Sequence, residues 1–309
     1  MGHPIAVAFV HGIGRTEPGY SAPLAKMLAA RFTDRVGRET TDPASQVVFE
    51  EVNWSVALQA AEDRLWERMK PGADLRFERL RHFMLDFAAD AIAYQPTHSD
   101  RSAYDTIHAE VAATMARLTD RAGARAPLIV VAHSLGTVIA SNYFYDLWKP
   151  RGSFLAPEVR ARIGRTPLER GGTLARFYTM GSPIALWSLR YPGYGTPIRM
   201  PARTLARNHP GLRPEWINLY DADDVIGYPL KPLNALYAAA VSEDLPVSVG
   251  TWLTGWNPLA HTGYWGSRGV ADLIADSLAD VWRGSRAIAL VSAGRRPSRR
   301  TSRTSSGNR

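Results

Sequence analysis

The stretch Ile129-Val130-Val131-Ala132-His133-Ser134-Leu135-Gly136-Thr137 constrains this chain more than any other part of it. Pro127 to Ala132 is wholly apolar and reads as a short strand buried on both faces. Thr137 to Leu147 reads as a helix. Between them Ser134 has Ala132 two positions before it and Gly136 two positions after it, small residues that let neighbouring backbone come close. Taken alone, a small-x-Ser-x-Gly run would also suit a serine N-cap on an ordinary helix. The apolar strand ahead of it favours a strained strand-to-helix turn that lifts the serine hydroxyl above a sheet edge.

The rest of the chain repeats the alternation of strand and helix, which implies a mostly parallel sheet with helices on both faces. Ile5 to Val10 is continuously apolar and is predicted to be the first strand. A helix over Ala22 to Phe32 and a strand over Gln46 to Val52 follow. Two helical stretches come next, the stronger with Phe77, Leu80, Met84, Phe87, Ala88 and Ala91 on one face. Ile107, Val111, Met115 and Leu118 mark a further helix, Ala175–Met180 and Trp216–Tyr220 two more strands. Val270, Leu273, Ile274, Leu278 and Val281 mark a final amphipathic helix. Gly/Pro-rich excursions at 151–172 and 187–214 suit surface loops over a site.

One domain over 1–292 is therefore expected, followed by a disordered Arg/Ser-rich tail over 293–309 whose composition cannot bury a core. The net charge of +8 has to be located before it is interpreted. Six arginines stand in the last fifteen residues, so the body before them carries only +2. A nucleic-acid-binding body would hold its basic excess on the fold, so no specific nucleic-acid partner is expected. The tail would supply at most a weak contact with an anionic surface. Absence of cysteine removes disulfides, thiol catalysis and thiolate metal sites, and fits a cytoplasmic protein. No secretory signal pattern and no run of ~18 apolar residues occurs, so a soluble chain with no transmembrane segment is expected.

Residues suited to acyl chemistry surround these elements in a fixed chain order. Phe9-Val10-His11-Gly12-Ile13-Gly14 ends the first strand, and Gly12 lets the backbone approach a reacting oxygen. That makes the Ile13 N–H one candidate oxyanion donor and the Leu135 N–H, directly after Ser134, the other. A dinucleotide fingerprint fails here because position 17 is Glu17 rather than glycine. Acids and then a histidine should follow the serine. Asp221, Asp223 and Asp224 stand just past the Trp216–Tyr220 strand. Asp224 is preferred, because Val225 and Ile226 directly after it can anchor the loop in the core, with Asp223 as the alternative. Of the eight histidines only His209 and His261 follow Ser134. His209 precedes the acids, which leaves His261 as the general base.

With these motifs in hand, the chain resembles the α/β-hydrolase superfamily on its lipase and serine-esterase side. Ala132-His133-Ser134-Leu135-Gly136 resembles the A-H-S-x-G elbow of some bacterial lipases. Thr179-Met180-Gly181-Ser182-Pro183, Asp224-Val225-Ile226 and His261-Thr262-Gly263-Tyr264-Trp265 resemble segments of fungal-type, class 3 lipases. The resemblance implies a single α/β-hydrolase domain with loop and helix insertions over the site. It also implies hydrolysis of carboxylic esters through an acyl-enzyme, with no cofactor and no metal. The substrate would be a small-molecule acyl ester or a lipid. Trp187, Tyr191, Tyr194, Trp252, Trp256 and Trp265 flank the site segments and suggest an apolar or aromatic acyl pocket. Alternatives with the same fold are an acyltransferase, a thioesterase and an inactive binding protein.

Overall fold

The computed structural model describes residues 3–12, 17–55, 68, 91–97, 100–149, 154–249 and 258–294, with side chains over 261–286 in the last stretch. The helix expected to carry Phe77, Leu80, Met84, Phe87 and Ala88 lies outside these residues. So do Ile13, Trp252, Trp256 and the tail from 295.

β1 (Ile5–Val10) is buried at every position, and the reason is that it serves two cores at once. Its side chains alternate between faces. Ile5, Val7 and Phe9 pack with Leu24, Leu28 and Phe32 of α1 (Ala22–Val36) and with Ile274 and Leu278 of α8 (Arg268–Gly294). Ala6, Ala8 and Val10 pack with Ile107, Val111 and Met115 of α2 (Ser102–Ala122) and with Val138 and Ile139 of α3 (Leu135–Trp148). Helices thus cover both faces of the sheet.

Among the described residues, β2 (Val47–Val52), β3 (Leu128–His133), β4 (Leu174–Met180), β5 (Glu215–Tyr220) and β6 (Glu243–Pro246) make up the rest of the sheet. All pairings are parallel, in the order β2-β1-β3-β4-β5-β6. This is the layered, parallel α/β arrangement expected of an α/β-hydrolase domain. The strand order reverses between β1 and β3, and a crevice forms outside the carboxyl ends of parallel strands at such a switch point.

Three features differ from the sequence expectation. β6 is a sixth strand that the sequence reading lacks; its Glu-Asp-Leu-Pro run has no apolar alternation because it sits at the sheet edge. The excursions at 151–172 and 187–214 are not plain loops: they contain α4 (Pro157–Arg162) and α6 (Ala202–Asn208), while α5 (Ile184–Ser188) follows β4. These helices are too short for 3.6-residue periodicity to announce them. Val225 does not anchor its loop, being 58% exposed; Ile226 alone is buried there. α7 (Ala235–Ala240) precedes β6 and is capped by the Asn234 side chain, which accepts from the N–H groups of Leu236 and Tyr237. Among the described residues no helix is long and apolar enough to cross a membrane.

Candidate active site

Ser134 stands at the carboxyl end of β3, beside the end of β1, at the switch point. Its backbone is at φ 51°, ψ −131°, a region that costs a non-glycine residue about 1–3 kcal/mol. The surroundings hold it there. The Ser134 N–H donates to Met180 O at 3.0 Å, and its carbonyl accepts from the Thr137 N–H and hydroxyl at 2.9 and 2.7 Å. The glycines on either side are required by contact. A Cβ at Gly12 would stand 2.5 Å from Ser134 Cβ. One at Gly136 would stand 2.5 Å from Val10 O and collide with His11 O. The sequence therefore brings the end of β1 and the start of α3 together around the serine hydroxyl.

His261 lies in the 3₁₀ run Pro258–Gly266, just before α8, and is buried. Its Nε2 accepts from the Ser134 hydroxyl at 2.7 Å. Its Nδ1–H faces both carboxylate oxygens of Asp224, at 3.0 Å to Oδ1 and 2.9 Å to Oδ2. Asp224 is 4% exposed and also accepts from the Ile226 N–H at 3.0 Å and the Tyr264 hydroxyl at 3.0 Å. Burial opposes its charge, but the bonds from His261, Ile226 and Tyr264 outweigh that and hold the carboxyl below its usual range. The carboxylate fits because Gly181, at φ 53°, and Gly227 present no side chain: a Cβ on either would come within 2.8 and 2.7 Å of Asp224 Oδ2.

The other candidate acids have different surroundings. Asp223 is exposed. Asp221 is buried, but its carboxylate accepts from the N–H groups of Asp223 and Val249 at 2.9 and 2.7 Å, so it ties the loop together. His209 donates or accepts nothing at this site; its Nε2 meets Arg125 O at 2.7 Å, before the start of β3. Leu135 is the first residue of α3, where an N–H has no intrahelical acceptor and stays available to an oxyanion.

Two residues without an assigned role in the sequence reading contact the line directly. His133 is buried, and burial takes its imidazole down to about 3, so the ring is neutral. Its Nε2–H donates to His261 O at 2.7 Å and pins the backbone of the histidine segment. Tyr264 stands three residues after His261, the spacing at which 3₁₀ side chains eclipse. That spacing on a polar aromatic was the available signal. A cavity of about 270 Å³ opens along α3 beyond Ser134, between Val138, Ser141 and Asn142 on one wall and Trp187, Tyr191 and Tyr237 on the other. Val138 is four residues from Ser134, about 6 Å of helical rise. Thr137 Oγ1 to Ser182 Oγ, at 2.8 Å, ties the two walls together beside the serine.

No protein-family model matches this chain, and no curated protein matches it. Among solved structures, a chain from an analysis of two fungal esterases of Rhizomucor miehei is 11% identical, with 91% of this chain and 76% of that one covered and a TM-score of 0.42. The esterase domain of a Rhodothermus marinus protein is 10% identical, with 91% and 88% covered and a TM-score of 0.35. Likenesses of this size carry no weight beside the sheet itself, whose parallel order and doubly covered faces define the architecture.

Proposed function

We propose that this chain is a serine hydrolase that cleaves carboxylic esters through an acyl-enzyme, with Ser134 as nucleophile, His261 as general base and acid, and Asp224 as the orienting carboxylate. The observation that carries the reading is the unbroken hydrogen-bonded line from Asp224 through His261 to Ser134 Oγ, with distances of 2.9 and 2.7 Å.

Ser134 Oγ attacks the ester carbonyl carbon while its proton passes to His261 Nε2. Asp224 keeps the His261 proton on Nδ1 and stabilises the imidazolium that forms. The carbonyl oxygen, now negative, takes hydrogen bonds from the Leu135 and Ile13 N–H groups. The tetrahedral centre collapses, the C–O bond to the alcohol breaks, and His261 gives its proton to the departing oxygen. A water molecule then loses a proton to His261 and attacks the acyl carbon. Ser134 leaves with that proton, and the acid is released. Each step balances with these side chains and water.

The cavity beside Trp187, Tyr191 and Tyr237 is suited to the acyl group. Its aromatic lining by Trp187, Tyr191, Tyr194 and Tyr237 favours an aryl or medium-length acyl group. Hydrolysis of a p-nitrophenyl ester series from acetate to palmitate tests the reading. Release of p-nitrophenol that peaks at medium or aryl acyl groups, and that Ser134→Ala lowers by about three decades or more, supports it. No release across the series, or release that survives Ser134→Ala, contradicts it.

A further inference from the structure

Positive charge is not spread evenly over the body. A surface cavity of about 770 Å³ is lined by Arg125, Arg165, Arg170, Arg199, Arg203 and Arg207 and, among the described residues, by no carboxylate. Arg125 stands just before β3, Arg165 and Arg170 before β4, and the remaining three before β5. The three strands are neighbours and parallel, so their entry segments meet at one edge of the sheet. Ser134, Gly181 and Asp224 follow the opposite ends of the same strands. Six residues of strand put about 20 Å between the two edges. The cavity is therefore separate from the proposed catalytic site, and a body whose net charge is only +2 nevertheless gathers six arginines at one edge of its sheet.

Many arginines elsewhere on the body are held by carboxylates. Arg31, Arg35, Arg101, Arg117, Arg121, Arg176 and Arg283 each meet a carboxylate. None of the six around the cavity is in an ion pair with a described carboxylate, and all six are exposed. Like charges gathered in one concavity repel one another and raise the local concentration of anions. Guanidinium groups present paired N–H donors that match phosphate oxygens two at a time. One wall is apolar and fixed: Trp148 stacks on Phe144 at 5.0 Å, and its indole N–H donates to Arg170 O at 3.0 Å. Met200 and Pro201 continue that wall.

We infer that this cavity binds a small organic polyphosphate, with its phosphates on the arginine forks and its organic part against Trp148 and Met200. The volume lies within the range of small-molecule sites, about 300–1,000 Å³. Six exposed guanidinium groups gathered around one surface concavity of about 770 Å³ suit a compact polyanion, whose phosphates several of them can reach at once, better than a lipid surface or an extended nucleic acid, both of which match a flat or elongated basic face.

Calorimetric titration of the full chain with ATP and with inorganic tripolyphosphate, at about 0.15 M salt, tests the inference. Saturable ATP binding is expected, with a Kd below about 100 μM. The double substitution Arg199→Glu with Arg203→Glu should weaken it by about tenfold or more, with the melting temperature of the protein unchanged. Trp148→Ala should weaken ATP binding more than tripolyphosphate binding. Absence of saturable binding to either anion overturns the inference, as does binding that the charge reversal leaves intact. Parallel measurements use vesicles with anionic phosphatidylglycerol and a single-stranded RNA of about 20 nucleotides. Binding to either that the charge reversal removes, without binding to ATP, also overturns it and assigns the face to that macromolecule.

Discussion

The Tyr264 hydroxyl donates to Asp224 Oδ2 at 3.0 Å while accepting the Asp221 N–H at 2.9 Å, so a single phenol joins the proposed orienting carboxylate to the backbone at the end of β5. Asp224 thereby has partners on both oxygens before His261 is counted. Burial raises the phenol's pKa, so it stays a neutral donor at ordinary pH. In the proposed mechanism Tyr264 is a positioning residue that acts through Asp224.

Tyr264→Phe should keep the fold and lower kcat, with KM little changed. A hydrogen bond to a charged group contributes about 1.5–3 kcal/mol, which corresponds to roughly ten- to a hundredfold. Steady-state kinetics on a p-nitrophenyl ester separate kcat from KM. An unchanged kcat would leave Tyr264 as a packing residue only.

The three neighbouring acids should respond differently to amide substitution. Asp224→Asn should lower kcat by about four decades, since a neutral amide no longer keeps the His261 proton on Nδ1. Asp223→Asn, at an exposed side chain, should be close to wild type in rate and in melting temperature. Asp221→Asn should cost about 1–3 kcal/mol of stability, because its carboxylate holds two backbone N–H groups, while kcat falls far less than in Asp224→Asn. If Asp223→Asn is the crippled variant, the assignment of the orienting acid is wrong.

How much of this was legible in the sequence follows from what each segment packs against. β1 and β3 could be read because burial on two faces leaves no polar position in either. Ser134 could be read because the turn needs small residues at fixed offsets, and Gly12 and Gly136 meet the backbone or side chains directly. The choice between Asp223 and Asp224 could not be made firmly, since burial changes from one residue to the next in that turn. The reason given for Asp224 was half right: Ile226 is buried and its N–H also donates to the carboxylate, but Val225 is exposed. β6, the short helices, the His133 bond and the arginine cavity depend on contacts between distant segments, which leave no local pattern.

Acid should destabilise the protein well before its carboxylates are protonated. Burial takes His11, His108 and His133 down to about 3, against an ordinary value near 6.5. The folded pKa is the lower one, so between these values the unfolded chain binds more protons, and stability falls as pH falls. It is fully present above about 6.5 and declines by up to about 1.4 kcal/mol per pH unit for each histidine. Urea unfolding at pH 7, 6 and 5 should show a steep drop in midpoint, and His108→Phe should make it shallower by about one proton. A midpoint unchanged from pH 7 to 5 would contradict neutral burial of these rings.

Filling the cavity beside α3 should change selectivity rather than chemistry. Ser141→Trp places an indole between the walls formed by Val138 and Trp187, two turns beyond Ser134. The kcat/KM for aryl and medium-chain esters should fall at least tenfold, with p-nitrophenyl acetate hydrolysis close to wild type, since one or two lost apolar contacts correspond to about 1–3 kcal/mol. Equal losses on acetate and on larger esters would place the acyl group elsewhere.

The reactive serine can be identified covalently. The protein is treated with a fluorophosphonate, digested, and the phosphonylated peptide is sequenced by mass spectrometry. The expected result is one equivalent of label, on the Ser134 hydroxyl, absent from Ser134→Ala and much slowed in a His261→Gln variant that keeps its melting temperature. Label on another serine, or ester hydrolysis by a protein that takes up none, would contradict the assignment of Ser134 as the nucleophile.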